Sequence, residues 1–407
     1  MSAADSLLLL LLFAAAAGLG WYFARRSLRA PAPAGRAQVS SEYFQGLNYL
    51  LNEEPDKALE VFIRMVDLDA DTVDTHFALG ALFRKRGETE RAIKVHQNLV
   101  ARPDLPREAR ARALNELAED YFKAGLFDRA EQVYGQVARG AARRELGLLG
   151  LVRIYELQRD WEQAIGAMDQ LASTSGRAGS ETVAHYCCEL AQEAIGRGDL
   201  LAARHWLKRA QGADRHSVRG AMMRAQVAQR EGDHRLAVRL YEQALEQDGG
   251  FLVDILPELR RSYAELGKAG EFGRWLEAAL AKHPEWRPGV AFAAIADGGF
   301  DDPTTRQCIV DFIESNPILT EILEMLRPTL ESDGGRDAAI RRISRAMQRI
   351  ARASPRYRCN VCGFSGNALY WQCPSCRTWG ATRPVTKFRF EAMLDPRAVP
   401  RESGSKH

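Results

Sequence analysis

The sequence predicts an all-α protein: a stack of helical hairpins behind one N-terminal transmembrane helix, with a small four-cysteine metal module at the C-terminal end. Three observations carry this. Residues 7–24 form an uncharged apolar run, a pair of small-residue markers recurs about every 34 residues from about residue 40, and two C-x-x-C pairs stand at Cys359/Cys362 and Cys373/Cys376. At 407 residues the chain exceeds one ordinary domain, and a net charge of +3 is nearly neutral for that size, so whole-chain charge names no partner.

The run from Leu7 to Ala24, LLLLLLFAAAAGLGWYFA, spans roughly 27 Å as a helix. Residues 1–24 are therefore expected to be a membrane anchor. The competing reading, a cleaved signal peptide, lacks its positive leading region, since Asp5 is the charge that precedes the run. Arg25, Arg26, Arg29 and Arg36 follow it, which places the body on the cytoplasmic side, and Trp21 and Tyr22 sit at the interfacial level. Residues 25–39, basic and proline-rich, read as a linker that holds the body near the bilayer.

Residues 40–285 carry the repeats. A small residue in one helix is followed twelve positions later by an alanine in the next: Gly46 and Ala58, Gly80 and Ala92, Ala118 and Ala130, Val152 and Ala164, Ala191 and Ala203, Ala225 and Ala237, with Arg260 and Phe272 a degenerate seventh copy. Gly87, Gly125, Gly198 and Gly232 mark the turns between the paired helices. Phe62, Tyr134, Leu207, Tyr241 and Leu276 stand four residues after the second marker and fill the gap between helices that the small residues open. This period and these positions resemble the tetratricopeptide repeat, which stacks into a right-handed solenoid.

Beyond the repeats, residues 286–335 keep helical periodicity with breaks at Pro303, Pro317 and Pro328, as expected of atypical capping hairpins. Residues 336–354 read as a basic amphipathic helix, with Ile340, Ile343, Met347 and Ile350 on one stripe and Arg341, Arg342, Arg345, Arg349 and Arg352 around it. Its basic face is expected to be solvated rather than bound to a partner. Residues 389–407 form a polar tail expected to be disordered at its end.

Residues 355–388 hold four of the seven cysteines, with ten residues between the two pairs. Two residues between cysteines let the backbone turn tightly enough to aim both thiolates at one ion, and two such knuckles complete a tetrahedral S4 shell for Zn or Fe. Such a shell is closed and therefore structural. Two disulfides or a redox dithiol are the competing readings, and a reducing cytoplasm disfavours the first. Tyr357, Phe364, Tyr370, Trp371 and Trp379 are expected to pack around the knuckles. Cys187, Cys188 and Cys308 read as small helix-packing residues.

There is no phosphate loop, H-E-x-x-H, G-x-S-x-G or dinucleotide fingerprint, so no catalytic residue is assigned and the protein is expected not to be an enzyme. His185 and His205 read as surface or packing residues of separate helices. Arg84, Asn115, Glu119, Arg153, Gln192 and Gln226, on the open side of first helices by register, are the candidate partner-binding groove. Nucleic acid is not an expected partner, although an RNA-binding zinc-ribbon repeat protein stands as an alternative to a membrane-tethered adaptor or scaffold; homo-oligomerisation is open.

The order of anchor, repeats and four-cysteine knuckles resembles the bacterial lipopolysaccharide assembly protein B family. YRCNVCGF, LYWQCPSCRTWG and the RPV near Pro384 carry the resemblance most specifically, being similar to that family's rubredoxin-type metal domain. It implies a single-pass inner-membrane adaptor that brings the lipid A-committing deacetylase to the membrane protease FtsH. Further implied partners are an inner-membrane lipopolysaccharide sensor and the export machinery.

Overall fold

The computed structural model describes residues 73–175, 180–297, 303–315 and 355–385, with short pieces between residues 18 and 63. The expected linker 25–39, residues 316–335 of the capping segment, the basic helix 336–354, residues 386–388 of the metal module and the tail 389–407 lie outside the described residues, as does the anchor apart from Gly18, Leu19, Trp21 and Tyr22. Among the described residues no helix is long and apolar enough to cross a membrane.

The chain divides into two compact units, residues 1–159 with 169–176, and residues 160–168 with 177–407. Unit one carries α1 (Val73–Lys85), α2 (Thr89–Ala101), α3 (Arg107–Lys123), α4 (Phe127–Arg139), α5 (Arg144–Gln158) and the second half of α6 (Trp161–Ser175). Unit two carries the start of α6, then α7 (Ser180–Gly196), α8 (Leu200–Ala213), α9 (Val218–Arg230), α10 (His234–Gln247), α11 (Leu252–Glu265), α12 (Ala269–Lys282), α13 (Arg287–Asp297) and α14 (Pro303–Glu314). The metal module follows in the same unit.

Antiparallel hairpins arise because each turn both ends one helix and starts the next. Gly198 and Gly232 take φ of 78° and 79°, a left-handed conformation that costs a side chain about 1–2 kcal/mol and glycine almost nothing. The following Asp199 and Asp233 then cap α8 and α10, accepting from the amides of Ala202 and Leu236 at 2.9 Å each. In the fourth repeat no glycine stands at the turn, and Arg159 itself adopts φ 59°.

Packing follows the predicted markers. Ala58, Ala92, Ala130, Ala164, Ala203 and Ala237 are all fully buried, and Phe62, Tyr134, Leu207, Tyr241 and Leu276 are at most 1% exposed. Close approach is tightest where a glycine faces a ring: a Cβ on Gly150 would collide with the Tyr134 side chain. Cys187, Cys188 and Cys308 are buried as expected. The core of unit two runs from α9 to α14, and α11 packs on α13 as well as on α12, so the degenerate seventh copy is a real hairpin with Phe272 buried in place of alanine.

The second repeat departs from the pattern, because the gap-filling position after Ala92 is His96. Its ring is fully buried, Gly80 leaves room for it, and its Nδ1 meets Asp120 Oδ2 at 2.5 Å. Arg84 donates to Asp120 Oδ1 at 2.7 Å and to Glu116 Oε2 at 2.5 Å, so the buried Asp120 carboxylate has both oxygens paired.

Candidate metal centre and its dock on the repeats

Three short strands build the module: β1 (Tyr357–Cys359), β2 (Ser365–Gly366) and β3 (Thr382–Pro384), in antiparallel order β2-β1-β3. The first knuckle leaves β1. The Cys359 amide donates to Phe364 O at 2.7 Å, the Gly363 amide to Cys359 O at 3.0 Å, and Gly363 takes φ 78°. In the second knuckle the Cys373 amide donates to Thr378 O at 3.0 Å and the Arg377 amide to Cys373 O at 2.8 Å, with Arg377 at φ 59° in the place of Gly363. Each left-handed residue stands four after the first cysteine of its pair and turns the second sulfur back toward the first.

The four sulfurs all lie within 4.8 Å of one another, with Cys359 Sγ 3.7 Å from Cys376 Sγ and Cys362 Sγ 3.6 Å from Cys373 Sγ. The surroundings favour the thiolate at Cys376 and Cys362, whereas burial pushes Cys373 up to about 11. Hydrogen bonds from the Thr378 hydroxyl and amide hold Cys376 down to about 6, and the Phe364 amide lowers Cys362. Four convergent sulfurs of this kind can hold one metal ion, which supplies the tetrahedral link between two knuckles too small to own a core.

The aromatic residues were expected to pack around the knuckles, and this is corrected for three of them. Trp371 and Trp379 stand on the two arms of the second knuckle, joined by the Gln372–Trp379 bridge, and both turn toward the repeats. Trp371 stacks on Phe251 with centroids 5.2 Å apart and lies under the Arg219 guanidinium at 5.5 Å. Trp379 stacks on His185 at 5.1 Å and meets Trp161 and Tyr186 edge-on at 5.9 and 5.7 Å. Tyr357 donates its hydroxyl to Asp254 Oδ1 at 2.5 Å, and Arg383 pairs with Asp248 at 3.4 Å. The physical reason is area: a module of about thirty residues has little interior, so its large rings are buried against a neighbour instead. Tyr370 is exposed, beside Phe364.

The docked residues share a register. His185, Arg219 and Asp254 each lie six residues before the first-helix markers Ala191, Ala225 and Arg260, so one face of three successive first helices receives the module. Sequence reasoning missed this row; a polar residue recurring six before the marker was its available signal. Burial, reinforced by the Arg219 and Arg383 charges, pushes His185 down to about 3, so its ring is neutral where it stacks. Burial raises Asp254, opposed by the Tyr357 hydrogen bond.

The predicted groove residues separate. Arg84 is tied to Glu116 and Asp120, and Glu119 accepts from both the Tyr134 hydroxyl and Arg153, which also lies over Phe122 at 4.2 Å. Asn115 is half-buried and Gln192 is exposed. Gln226 lines an open cleft of about 420 Å³ with Gln229, Arg230, His234, Glu258, Arg261 and Glu265.

Comparison with known proteins decides the family. Residues 357–384 match the rubredoxin metal binding domain, and residues 75–109 and 148–181 match the tetratricopeptide repeat. Lipopolysaccharide assembly protein B of Escherichia coli (strain K12) is 33% identical over 380 residues, which cover 93% of this chain and 98% of that protein. The chain belongs to the lipopolysaccharide assembly protein B family. The Haemophilus influenzae member is 30% identical over 399 residues, again covering 93% and 98% of the two chains. Among solved structures, Pseudomonas aeruginosa pilF aligns over 57% of this chain and 99% of its own at 17% identity, with a TM-score of 0.32.

Proposed function

We propose that this protein is a non-enzymatic inner-membrane adaptor of lipopolysaccharide synthesis, anchored by residues 1–24 with its body in the cytoplasm. The observation that carries the reading is the match to lipopolysaccharide assembly protein B along 98% of that protein's length, repeats and metal module together. In this reading the adaptor presents the lipid A-committing deacetylase to FtsH, answers to an inner-membrane lipopolysaccharide sensor and is linked to the export machinery. The anchor raises the effective concentration of membrane-bound partners, so modest contacts suffice. Gln192 and the cleft around Gln226 supply a polar first-helix surface for a client, beside the row that the module covers. Zn or Fe in the four-cysteine site would serve structure, holding the knuckles so that Trp371 and Trp379 reach the repeats.

The test is depletion of the protein in its host, with the half-life of the deacetylase followed after protein synthesis is blocked. A longer half-life on depletion supports proteolytic control. An unchanged half-life removes that mechanism and favours a scaffold for export.

A further inference from the structure

We infer that the metal module is an oxidant-releasable cover on the first-helix row of repeats five to seven: a Cys362–Cys373 disulfide discharges the ion and frees His185, Arg219, Phe251 and Asp254. The inference rests on the reading of the four cysteines as a metal site. Two observations carry it, one at the sulfurs and one at the dock.

The ligands differ in access. Cys359 and Cys373 are each 1% exposed, whereas Cys362 is open to solvent and Cys376 partly so. Cys362, the most open sulfur, sits 3.6 Å from buried Cys373 on the other knuckle. A disulfide needs about 2.05 Å, so closure asks for a movement of about 1.6 Å across a site held together by little else.

The step balances with a peroxide as oxidant. The Cys362 thiolate attacks one oxygen of hydrogen peroxide, the O–O bond breaks, hydroxide leaves and a sulfenic acid forms. The Cys373 thiolate attacks that sulfur, the S–O bond breaks, a second hydroxide leaves and the disulfide closes. The two sulfurs give up two electrons and the peroxide becomes two hydroxides. Only Cys359 and Cys376 then remain to hold an ion, too few for a tetrahedral site.

The dock is wired to the same knuckle. Trp371 lies two residues before Cys373 and Trp379 three after Cys376, and the hairpin between them is closed by the Cys373 amide to Thr378 O at 3.0 Å and the Gly380 amide to Trp371 O at 2.7 Å. Pulling Cys373 toward Cys362 breaks the geometry that sets both rings on His185 and Phe251. What is uncovered is the buried Phe251 ring beside the register row of His185, Arg219 and Asp254, in which Arg219 stays paired with Glu189 at 2.8 Å.

The experiment uses the full chain, reduced and loaded with zinc, its metal content first measured by elemental analysis. Hydrogen peroxide is added in steps while zinc release is followed with a colorimetric chelator, disulfides are mapped by mass spectrometry, and carbethoxylation of His185 reports uncovering. The expected result is one zinc released per chain in step with the Cys362–Cys373 linkage, with His185 labelling faster by about tenfold or more. Dithiothreitol with added zinc reverses both. W371A/W379A is expected to label at the fast rate without peroxide while keeping its zinc. Zinc retained on oxidised Cys362, a different cysteine linkage, or zinc lost with His185 still shielded each overturns the inference. A chain that takes up no zinc fails at the first measurement and overturns the metal reading beneath it.

Discussion

Trp371→Ala tests the dock at its strongest point. The ring is half-buried, stacked on Phe251 at 5.2 Å with planes 22° apart, beside His185 at 6.0 Å and under Arg219 at 5.5 Å. Truncating a fully enclosed tryptophan costs about 3–5 kcal/mol. Partial burial lowers this to about 2–3 kcal/mol, of which the ring pair contributes about 1 and the cation about 0.5–1. A loss of that size shifts the docking equilibrium about 30–150-fold. Hydrogen-exchange mass spectrometry of the zinc-loaded chain reads this as faster amide exchange at the start of α9 and α11, with α2 to α4 unchanged as an internal reference. Exchange at α9 and α11 within about twofold of wild type would refute the dock as an energetic contact.

Three further outcomes follow from particular residues. Since burial under the module, with the Arg383 charge, holds His185 down to about 3 and undocking relieves both, docking weakens as pH falls from the ordinary histidine range toward 3, by at most about 1.4 kcal/mol per pH unit; exchange measured from about pH 7 to 5 should show the slope, and H185Q should flatten it. Arg159→Gly should raise the thermal stability of unit one by about 1 kcal/mol, because it relieves a left-handed arginine; a lowered melting temperature would mean that the arginine side chain matters more than its backbone. Asp120→Ala should cost about 3–5 kcal/mol in chemical denaturation by stranding the buried His96 and leaving Arg84 with Glu116 alone, whereas H96F/D120L should recover most of it.

The repeats were legible because their signal is local and repeated: a small residue, a turn glycine and a gap-filling ring at fixed spacing describe most hairpins. His96 escaped because a buried histidine is tolerated only through Asp120, a residue of the next hairpin that the register does not mark. Arg159 escaped for the converse reason, a conformation imposed by the hairpin on a residue that does not prefer it. The four cysteines were legible from spacing alone, and the structure brings their sulfurs together. The dock was not, since Trp371 and Phe251 stand 120 residues apart and aromatic residues beside a knuckle look the same whether they face inward or a neighbour. Arg84 belongs to a third kind: its register placed it on the groove face, but two carboxylates hold its charge.

The most direct measurement is the metal content of the purified full chain and of Cys373→Ser, by elemental analysis beside circular dichroism. One metal ion per chain, lost in the variant while the helical signal of the repeats persists, is the predicted result. A chain without metal whose module still resists proteolysis would contradict the account, because the knuckles would then be held together by something other than an ion.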